Sequence, residues 1–237
     1  MASRCPKADV PGFGTESGMS FLPIPVLRRA ALCAWLAGAA AHAADAPPPP
    51  PAFDANEIVY DHSQSEWSEA YLQWIAGFAR GSSPVSDTTG ALCAAKQDGD
   101  VWFLASSEGT APVSRSCAIP AGKALFVPIV NTLERSGNRE PNCESMARVA
   151  ANSLSHISRL SMTLDGIPID DLASHRLSTG GCFALGLRSI PRLTARTAAA
   201  DGYGVMLRPL PPGSHTIVVE ARVDETALST TYRLDVR

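Results

Sequence analysis

The chain has 237 residues, of which 45% are hydrophobic and 18% charged, and its formal net charge is -3. The excess of acid grows when Arg4, Lys7, Arg28 and Arg29 near the amino terminus are set aside, and no basic patch is visible. That balance excludes nucleic acid as a natural partner and gives no polybasic membrane-surface site.

The chain opens with a leader. Arg28 and Arg29 make a positive n-region, Ala30 to Ala40 an apolar h-region, and Ala41-His42-Ala43 a small-x-small cleavage site, so residues 1–43 read as a signal peptide. Its apolar run falls short of the ~20 residues that span a bilayer, so no transmembrane segment is expected after cleavage. Residues 1–18 read as an over-long start, with Met19 the initiator. Residues 44–52, with prolines from Pro47 to Pro51, read as an extended tether. Residues 53–237 are expected to form a single domain. Arginine far outnumbers lysine there, and with the alanine and proline content this points to a GC-rich bacterial genome.

The body begins with helix signals. Ser63 and Glu66 form an S-x-x-E capping box, and Trp67, Tyr71, Trp74, Ile75 and Phe78 follow at helical spacing up to Gly81. Such a stripe is read as core, because aromatic side chains supply the largest buried areas. His62, just before the cap, is placed against Trp67 in a staple. After a turn-rich stretch, Val101–Ala105 reads as a strand. Ala124–Val130 reads as a buried strand interrupted at Pro128, which demands an edge, a bulge or a strand end.

Asn142–Leu160 has a helical apolar face that includes Met146, Leu154, Ile157 and Leu160, with His156 at its margin. Ser161–Ile169 returns to strand character around an Asp165-Gly166 hairpin signal. Phe183–Leu187 and Tyr203–Leu207 are further strands, and residues 189–200 show no clear pattern. The end is the plainest part. His215, Ile217, Val219, Ala221 and Val223 share one face, Asp224-Glu225 turns the chain, and Leu228, Tyr232, Leu234 and Val236 face inward again. The fold expected is β-rich (α+β): a single antiparallel β-sandwich-like domain with two packed helices.

Four cysteines remain after the leader: Cys93, Cys117, Cys143 and Cys182. An even count without a C-x-x-C pair in an exported chain implies disulfides rather than a redox motif or a zinc knuckle. Of the possible pairings, Cys93–Cys117 and Cys143–Cys182 join neighbours in the chain next to apolar segments. Each closed loop is worth ~3 kcal/mol by chain entropy.

No nucleophile elbow, metalloprotease helix, dinucleotide-binding fingerprint or phosphate loop is present. Triads assemble in space, so an enzyme remains open. The candidate catalytic groups are His215, His175, Asp171 and His62. Asp170, Asp171 and His175, grouped in I-D-D-L-A-S-H, are also candidate metal ligands, with Asp171 and His175 on one face if helical. The competing reading of that segment is a solvated turn with a capping Asp. His215, first inward residue after Pro211-Pro212-Gly213, is read as a corner post that fixes the turn by backbone hydrogen bonds. No cofactor is expected.

The segments V-W-F-L-A (Val101–Ala105), P-A-G-K-A-L-F-V-P-I-V-N (Pro120–Asn131) and D-G-Y-G-V-M-L-R-P-L-P-P-G-S-H-T-I (Asp201–Ile217) resemble a group of bacterial exported proteins of unknown activity. In that group the position of Gly204 is often aromatic, so the resemblance implies a surface aromatic missing here. It implies export to the periplasm or medium and a β-rich fold, and it names no catalytic residue. Two functions follow: a non-catalytic binding or interaction protein with an envelope or extracellular ligand, or an exported hydrolase built on a His/Asp site.

Overall fold

The computed structural model describes residues 49–79, 81–137, 142–186 and 196–237. The expected leader, residues 1–43, and residues 189–195 of the unpatterned stretch lie outside them. Helix α1 is Gln64–Ala76 and α2 is Cys143–Asn152. The strands are β1 (Val101–Phe103), β2 (Val113–Ile119), β3 (Ala124–Arg135), β4 (Ile157–Leu164), β5 (Ile167–Pro168), β6 (Phe183–Leu185), β7 (Arg196–Leu207), β8 (Gly213–Val223) and β9 (Thr226–Val236).

They form two packed sheets, ordered β1-β3-β7-β6 and β2-β9-β8-β4-β5. The expected fold class is there: β-rich α+β, with two helices. The expectation of wholly antiparallel sheets is corrected. β1 runs parallel to β3 and β2 parallel to β9, so each sheet is mixed, with a parallel pair at one edge.

The first sheet is buried on both faces. Leu125 and Val127 of β3 face the second sheet, with Val205 and Leu207 of β7. Ala124 and Phe126 point the other way, to α1. This explains why β3 reads as a continuous apolar run. On that outer face Tyr71 lies 5.4 Å from the Phe126 ring and Trp74 5.6 Å from Phe103, so the aromatic stripe is core. Each such pair adds ~1 kcal/mol beyond area burial. The second sheet has one wet face, and β2 alternates buried and exposed along its length.

The capping box forms as expected, the Ser63 N–H donating to Glu66 Oε2 at 2.7 Å. α1 stops earlier than expected, at Gly77 in right-handed geometry rather than at Gly81. Pro128 does mark a bulge, but β3 is central, between β1 and β7. The larger correction concerns α2, which ends at Asn152; Ile157 and Leu160 belong to β4. The pairing of β4 with β8 slips between Ile157 and Arg159. A slip of one residue lets two positions three apart face the same core, which imitates helical spacing.

The last residues of the expected tether are bonded to the body. The Arg208 N–H donates to the Pro51 carbonyl at 2.8 Å and the Phe53 N–H to Met206 at 2.9 Å. Residues 51–53 thus form a strap along the end of β7. Both expected disulfides are present, Cys93–Cys117 and Cys143–Cys182. Among the described residues no helix is long and apolar enough to cross a membrane.

Candidate functional site

His215 is the corner post that its parity predicts. Its Nδ1 lies 2.7 Å from Asp165 Oδ2 and its Nε2 2.9 Å from the Pro211 carbonyl. Asp165 sits in the β4–β5 turn with φ 52° and also accepts the Thr216 N–H at 2.7 Å. Partial burial works against charge on the ring, but the hydrogen bonds to Asp165 and Pro211 outweigh it and raise its pKa. The Asp165 carboxyl is lowered in turn: partial burial opposes this, and the bonds from His215 and Thr216 prevail.

The other histidines are scattered. His62 stands edge-on to Trp67, with ring centroids 5.2 Å apart, in the staple position. His156 is on the surface, 3.8 Å from Asp224. Among the described residues the carboxylate contacts of the histidines are His156 to Asp224 and His215 to Asp165. Among the described residues no carboxylate is paired with two of them.

His175 stands apart in character. It is only 5% exposed and its Nδ1 has no hydrogen-bond partner. Burial depresses its pKa, against the pull of Asp171 and Asp54. It follows a short 3₁₀ turn, Leu172–Ser174, at whose start Asp171 adopts left-handed geometry with φ 53° and no side-chain cap bond. In the competing reading of a turn with a capping Asp, Asp171 takes the cap position but makes no side-chain cap bond. The one-face helical pairing is corrected, because a single 3₁₀ turn is not a four-residue α-helical repeat. Among the described residues no three His, Cys, Asp or Glu side chains gather to hold a metal ion, so Asp170, Asp171 and His175 are not drawn together as ligands.

His175, Asp170 and Asp171 do share an open groove of about 970 Å³ with Asp54 and Glu57. One wall is the strap and the residues after it. The other is β5 and the 3₁₀ turn. Phe53, Ile167 and Pro168 add apolar surface, and Ile167 is 68% exposed. Glu57 is engaged by Arg208, whose Nη2 lies 2.9 Å from Oε2, and the Arg208 guanidinium stacks 4.1 Å over the Phe53 ring.

Two polar clusters had escaped the sequence reading. Arg115, 3% exposed, sits at an inward position of β2. Its guanidinium donates to the backbone carbonyls of Asp87 at 2.6 Å, Val85 at 3.1 Å and Ala105. Tyr232, whose pKa burial pushes up, donates to the same Ala105 carbonyl at 2.8 Å. The Asp87 carboxyl is held at about 2: partial burial opposes this, but the N–H groups of Leu92 and Thr89 and the Thr89 hydroxyl prevail. Arg115 therefore fastens the loop before β1 to the second sheet.

The second cluster explains the D-G-Y-G segment. Buried Asp201 holds Arg176 through two hydrogen bonds of 3.0 and 2.9 Å. A Cβ on Gly202 would come within 2.7 Å of the Val130 carbonyl oxygen, so the strands approach too closely for a side chain. Gly204 is buried as well, and a Cβ there would lie 3.2 Å from both Leu177 and Phe126. The position is thus interior, and the surface aromatic implied by the resemblance has no place on it.

No family model and no curated protein matches the chain. Among solved structures it is similar to PbICP-C in complex with falcipain-2, at 11% identity and a TM-score of 0.25, over 59% of this chain and 100% of that one. It is also similar to amebosin in solution, at 10% identity and a TM-score of 0.19, over 53% of this chain and 96% of that one. Likeness of that extent carries no functional argument.

Proposed function

We propose that the protein is exported, to the periplasm or the medium, and acts there as a non-catalytic binding protein with an envelope or extracellular ligand. The two disulfides carry the first half, since such bonds persist in oxidising compartments. The leader and the resemblance to bacterial exported proteins agree with it. The second half rests on what the candidate catalytic groups do. His215 and His62 are engaged in holding a corner and a helix start. His175 is buried beside a groove, and burial lowers its pKa against the pull of Asp171 and Asp54. General acid–base work needs a group within hydrogen-bond reach of a reacting proton, with a partner to orient it. The His175 Nδ1 has no such orienting partner.

The oxidised protein, screened against ester, glycan and peptide substrates, is expected to show no turnover. Turnover that His175→Ala abolishes would replace this reading with that of an exported hydrolase.

A further inference from the structure

We propose that His215 is a proton-operated latch: with two ring protons it ties the β4–β5 turn to the β7–β8 turn, and with one it frees the β7–β8 turn and loosens the strap wall of the groove. The latch belongs to the fold itself and goes beyond the binding reading.

The geometry sets the proton count. Nδ1 lies 2.7 Å from the Asp165 carboxylate and Nε2 2.9 Å from the Pro211 carbonyl. A carboxylate and a carbonyl only accept, so both ring nitrogens have to donate, and an imidazole with two N–H groups is the cation. A neutral ring offers one donor. Solvent protons reach the pair, since the His215 side chain is 12% exposed and that of Asp165 43%.

Asp165 is the charged group that faces the ring. On β9 the residue opposite His215 is Leu234, while Arg233 and Asp235 stand opposite Thr216 and Ser214 and so take the other face. Arg233 reaches Ser114, and Asp235 lies 3.7 Å from Arg237. On β4 the nearest paired position is Leu164, opposite Ile217. Arg208, at the start of the β7–β8 turn, is directed to Glu57 and Phe53. Partial burial opposes charge on the ring, and the bonds to Asp165 and Pro211 overcome it.

When the ring gives up a proton, its two acceptors are unequal. Ionised Asp165 keeps the donor, because a charge-assisted bond is about twice as strong as a neutral one. Nε2 then turns a lone pair on the Pro211 carbonyl, and that contact parts. Among the described residues it is the one hydrogen bond made by the main chain of residues 209–212, three of which are prolines without an N–H. Burial of Leu210 is the other tie.

The release bears on the groove through chain connectivity. Arg208, three residues before Pro211, holds the strap by its N–H to Pro51 and its guanidinium to Glu57 and Phe53. Ile167 and Pro168 of the opposite wall follow closely on Asp165. A closed latch therefore joins both walls. It is closed below the folded pKa of His215, which lies above the ordinary value, and it opens as pH rises through it.

The test uses the full oxidised protein, isotope-labelled for NMR. Long-range proton–nitrogen spectra of the His215 imidazole should show both nitrogens protonated in acid and Nδ1 alone in alkali. Hydrogen exchange, corrected for its intrinsic pH dependence, should show protection of the Arg208 and Phe53 amides falling roughly tenfold across the His215 titration. The Leu104 amide, bonded to the Phe126 carbonyl, should not change. Asp165→Asn separates a latch from simple packing. Asparagine suits the left-handed geometry of position 165, and its amide donates to Nδ1, so a neutral ring keeps an Nε2 proton for Pro211. That variant is expected to keep the high protection at every pH.

An unprotonated Nε2 in acid, flat protection of Arg208 and Phe53 in the wild type, or wild-type pH dependence in Asp165→Asn would each overturn the latch. None of these results bears on turnover, so the latch and the non-catalytic reading fail separately.

Discussion

Replacing Arg115 by methionine tests how the second sheet is tied to its loops. The guanidinium serves three carbonyls, and hydrogen bonds from a charged donor are worth roughly 1.5–3 kcal/mol each before its desolvation is counted. The carbonyls do not lose equally. Ala105 keeps the Tyr232 hydroxyl and Val85 keeps the Glu108 N–H at 3.2 Å. The Asp87 carbonyl alone is left without a protein partner among the described residues, at ~1–3 kcal/mol. Relief from burying an unpaired cation offsets part of the total, and methionine refills most of the volume. The net expectation for Arg115→Met is a loss of about 3 kcal/mol in urea unfolding with both disulfides intact, against less than about 0.5 kcal/mol for Ser116→Ala on the exposed face of the same strand. An Arg115→Met protein within about 0.5 kcal/mol of wild type would refute the idea that this side chain fastens the loop.

Asp201→Asn should cost about 2 kcal/mol in the same assay; the Asp201 side chain is only 4% exposed, but Arg176 at 45% remains hydrated and softens the loss. Gly90→Ala should cost about 3 kcal/mol or abolish folding, because φ is +94° and the new Cβ would lie 2.1 Å from the Ser116 carbonyl oxygen; a melting temperature equal to wild type would contradict the geometry. The pH dependence has two opposed parts. The depressed pKa of His175 gives stability that is present above about pH 6.5 and is lost as pH falls through the folded value. The raised pKa of His215 gives stability that is full below about pH 6.5 and is lost as pH rises through the folded value. Denaturant titrations should therefore show a weaker acid loss in His175→Leu and a weaker alkaline loss in His215→Ala, and profiles parallel to wild type would refute both assignments.

Where burial follows a simple period, the sequence is a good guide. The β8–β9 hairpin alternates cleanly because only one of its faces meets the core, and the first helix announces itself through Ser63 and Glu66. β2 escaped notice because Arg115 occupies an inward position, and an arginine satisfied by distant carbonyls looks like a surface residue in a one-dimensional reading. The α2–β4 boundary misleads because the slip at Ile157 and Arg159 borrows helical spacing. Parallel edges depend on which strands meet, and no local pattern records that.

The site shows the same division. I-D-D-L-A-S-H marks one wall of the groove, since charged residues beside a histidine stand out. Asp54 reaches His175 only because the strap folds back along β7, and nothing near Asp54 in the chain signals it. The Asp201–Arg176 pair was hidden for a similar reason: the aspartate of D-G-Y-G looks like a turn residue until its partner arrives from the 3₁₀ segment.

Export into an oxidising compartment is tested most directly by non-reducing peptide mapping of the protein recovered from the periplasm or medium of cells that express the full chain. The account predicts two linked peptide pairs, Cys93 with Cys117 and Cys143 with Cys182, and no free thiol. Recovery in the cytoplasm with these four thiols reduced would contradict it.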